Sequence, residues 1–231
     1  MSVTVQQVVS WEPNPGARSR LHMLRYFKPA IFLACLVPLA LLVWDALHGQ
    51  LGANPIEAIT HYTGNCTLIF LLITLAITPL RKLTRQYWLI SLRRMLGLFA
   101  FFYGTLHMMT WVWLDKFFDV HEMLADVAKR RFITAGMTGF ALMIPLALTS
   151  TKWSIRKLGG KRWQALHRLI YFSAAAGVIH YIWLVKADLK KPLEYGVVLA
   201  VLMLYRFGAW LATRVKSNQG AIKPSIEASG D

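Results

Sequence analysis

Residues 93–114 read RRMLGLFAFFYGTLHMMTWVWL, and residues 167–186 read HRLIYFSAAAGVIHYIWLVK. Each is an apolar run of membrane-crossing length, opened by basic side chains and carrying one histidine well inside it. An ionisable residue in a bilayer segment is costly and by default marks a functional site. The spacing repeats: His107 lies 13 residues beyond Arg94, and His180 lies 13 residues beyond His167. At 1.5 Å per residue each step is about 20 Å along a helix. If both runs cross in the same direction, His107 and His180 share one depth, and Arg93, Arg94 and His167 share another. Imidazole is a standard axial ligand of haem iron. A porphyrin held edge-on between two helices, with one imidazole on each face, is the reading this spacing suggests.

Working outward, the chain reads as all-α, a six-helix transmembrane bundle. Its 231 residues are 56% hydrophobic, with a mean hydropathy of +0.43, too apolar for an ordinary soluble domain. Six apolar stretches fall at roughly 29–47, 64–80, 95–114, 132–149, 169–185 and 193–211, each near the length a bilayer requires. Residues 1–27, with Pro13, Pro15 and Gly16, read as a polar cytoplasmic tail before an uncleaved anchor. Residues 28–212 form the six-span domain, and 213–231 read as a disordered cytoplasmic tail. Pro38 and Pro145 lie inside spans and predict kinks. Trp44, Trp88, Trp111, Trp113, Trp153, Trp163 and Trp183 fall near span ends and read as interfacial belts. No room remains for a soluble catalytic domain.

The formal net charge is +15, and its distribution sets the orientation. With the N-terminus inside, the cytoplasmic segments carry 18 Lys and Arg residues and the opposite loops carry 7. That is a positive-inside bias with both termini cytoplasmic. Basic residues confined to loops beside spans do not suggest a nucleic-acid partner. Instead they face membrane lipids, or an acidic donor protein in the case of the cluster at 152–168. Cys35 and Cys66 offer no zinc spacing, no disulfide framework and too few ligands for an iron–sulfur cluster. No Gly-rich nucleotide loop follows a strand, so electrons must come from a lipid-soluble carrier or another protein.

The bland reading of an intramembrane histidine is a hydrogen bond between helices. Matched depth favours the ligand reading for His107 and His180. His167 admits more: an interfacial residue, a ligand of a second haem, or a neighbour of a quinone or flavin. A second haem needs a second pair, and at that level the other helix offers Arg93 and Arg94. Moreover, 13 residues at about 100° each set His167 and His180 about 140° apart around an ideal helix. They cannot both point at one neighbour without a local irregularity. Arg93 and Arg94 read as interfacial anchors, or as a cationic site for a quinone head, a flavin phosphate or haem propionates. His61, at the outer mouth of span two, is an alternative ligand or a propionate contact. His22, His48 and His121 read as tail or loop residues.

Several stretches carry a resemblance: NPIEAITHYTG (54–64), ITPL (77–80), LRRMLGL (92–98), TLHMMTW (105–111), ALTSTKW (147–153), RKLGGKRWQALHRLIY (156–171) and HYIWLVK (180–186). In this order they resemble the MsrQ (YedZ) family, haem-binding membrane subunits of the bacterial protein-methionine-sulfoxide reductase system, within the ferric-reductase-like transmembrane group. The resemblance implies b-type haem with His107, His167 and His180 at the haem-associated positions, FMN, and a multi-pass protein of the bacterial inner membrane. It also implies electron flow from the quinone pool, linked to Arg93 and Arg94, to a periplasmic molybdopterin enzyme that reduces methionine sulfoxide. The expected role is therefore an electron-transfer subunit and not the catalytic one. A stand-alone haem ferric or quinone reductase, and a non-redox transporter or anchor, are the alternatives.

Overall fold

A computed structural model describes the backbone of residues 15–185 and 188–227, and the side chains of residues 27–185 and 188–215. Every regular element among them is helical. The long helices are α1 (Pro15–Leu47), α2 (Pro55–Thr84), α3 (Arg93–Met109), α5 (Arg131–Leu148), α8 (Leu169–Leu184) and α9 (Lys190–Glu227). Short helices α4 (Val120–Lys129), α6 (Lys152–Leu158) and α7 (Gly160–Leu166) lie in the connections. A π-helical turn, Thr110–Asp115, ends α3.

Two antiparallel hairpins make the framework. In α2/α3, Thr60 bonds to His107 and Gly97 faces Thr74. In α5/α8, Phe132 bonds to His180 and Gly139 accepts from Ser173. Helix α9 runs back along α8, where Tyr195 lies beside Tyr181 and Arg206 reaches Tyr171. Thus α2, α5 and α9 run one way and α3 and α8 the other. A core of Phe70, Leu71, Phe99, Ala100 and Tyr103 joins α2 to α3, and Leu68, Leu72, Leu75, Ala174 and Val178 join α2 to α8.

Among the described residues, five helices are long and apolar enough to cross a membrane: Phe27–Leu47, Pro55–Thr84, Arg93–Asp115, Arg131–Leu148 and Lys190–Val215. With the transmembrane family reported below, this makes the chain a multi-pass membrane protein. The sixth expected span is α8, whose 16 residues extend about 24 Å, short of a hydrocarbon core of about 30 Å.

Three boundaries differ from the sequence reading. Helix α2 starts at Pro55 instead of 64, capped by the Asn54 side chain, which accepts from the Glu57 amide. Its first turns carry Glu57, Thr60, His61, Thr63 and Asn65, which lower the hydropathy that placed the boundary. The segment from 213, expected to lack structure, continues α9 as helix to Glu227, through Gly220 and Pro224. Helix α1 likewise begins at Pro15, inside the expected polar tail. Residues 1–14, 186–187 and 228–231 of the expected tails and of the HYIWLVK stretch lie outside the described residues.

Pro38 lies inside α1 and Pro145 inside α5. One residue beyond Pro38 the ladder opens: the Tyr103 hydroxyl donates to the Cys35 carbonyl at 2.8 Å and accepts from the Leu39 amide at 3.2 Å. A side chain inserted between partners i and i+4 is a recognised cause of helix bending. It also ties α1 to α3 through a side chain that is fully buried.

Between α3 and α5, Lys116 Nζ sits 2.6 Å from Glu122 and 2.8 Å from Asp126, whose other oxygen lies 3.2 Å from Arg130. Lys116 and Asp126 are buried despite their charges. Contact with the Lys116 ammonium holds the Asp126 carboxyl below the usual range, and the two carboxylates raise Lys116. The depressed carboxyl stabilises the fold above its ordinary value, and that contribution fades as pH falls through its folded value. Lys116→Met is expected to destabilise the detergent-purified protein by about 1 kcal/mol at pH 7. The melting-temperature difference from the unmodified protein should shrink as pH drops below about 4, and a difference constant with pH would contradict the ion cluster.

Candidate functional site

The rings of His107 and His180 lie 6.0 Å apart, centroid to centroid, with their planes at 76°. The same local device holds each one. His107 Nδ1 is 2.9 Å from the Thr60 carbonyl of α2, and His180 Nδ1 is 2.6 Å from the Phe132 carbonyl of α5. A carbonyl only accepts, so Nδ1 carries the proton in both rings and Nε2 keeps its lone pair. A metal-binding imidazole has this tautomer, with its other ring nitrogen donating to a carbonyl or carboxylate.

Four residues beyond each carbonyl stands a glycine, Gly64 or Gly136. A Cβ at Gly64 would sit 3.1 Å from His107 Nδ1, and one at Gly136 only 2.8 Å from His180 Nδ1. Both rings therefore rest on bare helix backbone. The two hairpins repeat one pattern: a carbonyl, a glycine one turn on, and an imidazole from the antiparallel partner.

Both rings line a cavity of about 490 Å³. Its walls are apolar, with Leu68, Phe140 and Met143 among them, and its mouth carries Glu57, His61, Asp115 and Arg130. The donor set decides what would fit. Among the described residues no group of three or more His, Cys, Asp or Glu side chains is placed to hold a bare metal ion, which ordinarily takes three or four protein ligands. A porphyrin brings four nitrogens of its own and needs only two axial ligands. Two imidazole bonds of about 2 Å each, plus the two half-rings, span about 6 Å. The glycine cradles, the fixed tautomers and the apolar walls all fit that group.

A second cavity, of about 610 Å³, lies towards the opposite end. Arg93, Arg94, Gln164, His167, Arg168 and Tyr171 are among its polar residues, and no carboxylate side chain is among its lining residues. His167 caps the end of α7, and Arg168 precedes the first residue of α8. This break is the irregularity that the 140° phase argument required. His167 therefore faces the second cavity and His180 the first. Trp163 stacks on His167 at 3.9 Å, Thr149 Oγ1 lies 3.1 Å from its Nε2, and Trp163 donates to the Thr149 carbonyl. Burial, and then the Arg93 charge, push the His167 imidazole below its ordinary pKa. Met143 lines both cavities. Phe101 from the second and Phe140 from the first stack between them at 5.6 Å and 6°.

His61 stands on α2 at the mouth of the first cavity, 3.7 Å from Glu57, and His48 stacks on Trp44 outside both. Two tryptophans expected in the interfacial belts serve the cavities instead: Trp163 in the second and Trp111 in the first. Sequence reasoning set His107 and His180 at one depth, and the structure brings their rings together. That reasoning missed Gly64, the carbonyls of Thr60 and Phe132, the stacking role of Trp163, and Tyr171. The equal offset of each glycine, four residues past the carbonyl on the facing helix, was readable only once the pairing of helices was known.

The model of the family described as "Ferric reductase like transmembrane component" matches residues 63–178. The protein-methionine-sulfoxide reductase heme-binding subunit MsrQ of Herminiimonas arsenicoxydans is 56% identical over 214 residues, covering 91% of this chain and 95% of that protein. The protein of the same name from Azospira oryzae is 50% identical over 226 residues, 94% of this chain and 93% of its own length. The one from Bordetella pertussis is 49% identical over 202 residues, 87% and 98%. The chain belongs to the MsrQ family, within the ferric-reductase-like transmembrane group.

Gly136→Ala puts a methyl group inside contact distance of the His180 ring, whereas the clash at Gly64 is smaller. Haem content of the purified protein is expected to fall severalfold in Gly136→Ala and less in Gly64→Ala. Equal, undiminished content in both would contradict the cradle.

Proposed function

We propose, with membership of that family as the premise, that this chain is the membrane electron-transfer subunit of a protein-methionine-sulfoxide reductase system. It passes electrons from the quinone pool to a periplasmic molybdopterin methionine-sulfoxide reductase that repairs oxidised proteins. Haem b, held by His107 and His180, supplies one-electron chemistry. The observation that carries this reading is the pair of imidazoles 6.0 Å apart, each with Nδ1 committed to a helix carbonyl. Ligation by both imidazoles would leave no open iron position, which favours electron transfer over oxygen chemistry. The chain is thus an accessory subunit, with catalysis in its partner.

The second cavity is the entry site. Arg93 and Arg94 line it with donors only, beside the His167 imidazole and apolar walls that include Phe101 and Leu146. A flat ring bearing acceptor oxygens suits such a site, whether a quinone head, FMN or a second haem with His167 as ligand. The exit lies at the mouth of the first cavity, near α4. In this reading α8 is the sixth span, its start set by the break at His167 and Arg168. Residues 28–212 form the membrane domain in the bacterial inner membrane, and the basic loops and both termini face the cytoplasm.

The test uses purified protein. His107→Ala and His180→Ala should each abolish the b-type Soret band, and an unchanged spectrum in both would refute the ligand pair. Arg94→Ala should keep that band while slowing reduction by a short-chain quinol about tenfold. Reduction at the unmodified rate would remove Arg94 from the entry site.

A further inference from the structure

Arg206 lies in α9, inside the apolar segment Lys190–Val215. A guanidinium within a membrane span is costly, faces the bundle interior and marks function by default. Two directed bonds hold it. Nη2 donates to the Leu75 carbonyl at 2.7 Å, and Nη1 donates to the Tyr171 hydroxyl at 2.7 Å. The first bond has a structural cause. Leu75 would normally accept from residue 79, which is Pro79 and has no amide hydrogen. The guanidinium fills that gap and ties α9 to α2.

The second bond is not needed to satisfy Leu75. It fixes a phenol that lines the second cavity, and the guanidinium also lies over the Tyr171 ring at 5.1 Å. Arginine has no acceptor, so Tyr171 oxygen must accept in this bond. The phenol keeps its own proton, and among the described residues no other hydrogen-bond partner is recorded for that hydroxyl. A cationic donor on the oxygen polarises the O–H group and strengthens it as a donor in turn. The cavity it lines carries Arg93, Arg94 and Arg168 but no carboxylate side chain.

We infer that Arg206 positions Tyr171 as a hydrogen-bond donor to the acceptor oxygen of a flat ligand in the second cavity. Arg206 is a positioning residue: it acts through Tyr171 from outside the cavity lining. The inference rests on the proposed reading of that cavity as the electron-entry site, and it adds a polar group from α8, Tyr171, to the arginines of α3.

The experiment is a double-mutant cycle on the full-length purified protein: Tyr171→Phe, Arg206→Met and the two combined. The probes are a short-chain ubiquinol, FMN and haem stoichiometry. Tyr171→Phe keeps the ring and its packing, so it remains informative if Arg206→Met fails to fold. Each single variant should raise the KM for the quinol about tenfold, with an unchanged Soret band. The double variant should be no worse than the poorer single one. Losses that multiply in the double variant would overturn the inference. So would Tyr171→Phe with the unmodified protein's quinol KM, FMN affinity and haem content. If the unmodified protein is not reduced by quinol, the entry reading fails. The pair is then read from FMN affinity and haem content, where a loss in Tyr171→Phe supports it and no loss refutes it.

Discussion

Two bonds from imidazole to helix carbonyl organise this molecule. Each fixes a tautomer, aims a lone pair into a shared cavity, and requires a helix face without a side chain one turn further on. Remove either glycine and the ring must tilt; remove either carbonyl contact and the proton is no longer confined to Nδ1. Because His107 rests on α2 and His180 on α5, the geometry of the pair also fixes how the two hairpins stand against each other. Packing and chemistry are therefore one problem: the close antiparallel contacts that build the hairpins also place the rings.

The bilayer explains much of the rest. In hydrocarbon an unmet backbone group costs several kcal/mol, and two departures from regular helix here have a side-chain partner nearby. Tyr103 bridges the opened pair at Cys35 and Leu39, and Arg206 serves the carbonyl that Pro79 leaves free. Within α2, Thr60, Thr63, Thr67 and Thr74 turn their hydroxyls back to the preceding turn, which lets a polar helix face lie beside an apolar cavity. The two cavities meet at Met143 and at the stacked pair Phe101 and Phe140, so their occupants would be separated by packed side chains and not by bulk water.

Much of this was legible in the sequence, for reasons that differ by residue. Apolar length and basic flanks marked the spans, since both follow directly from the bilayer. The 13-residue spacings placed His107 level with His180 and Arg94 level with His167, because rise per residue is nearly constant. Phase was less transferable: a continuous helix from His167 to His180 was assumed, and the break at His167 and Arg168 sends the two rings to different cavities. The start of α2 was misplaced by about two turns because its polar residues line the first cavity, so hydropathy undercounts the helix. Arg206 escaped notice because loop charges dominated the orientation argument, although it is the basic residue that belongs to neither face. Gly64 and the carbonyls of Thr60 and Phe132 were hidden for a deeper reason: their role depends on which helices pair, and one sequence does not state that.

The central claim is that two neutral imidazoles close both faces of a single iron. Near-infrared magnetic circular dichroism of the oxidised, detergent-purified protein addresses it most directly, since the charge-transfer band of low-spin ferric haem reports both axial ligands. The account predicts the band of bis-imidazole ligation. A high-spin signature, or the band of an imidazole paired with water or a thioether, would contradict it.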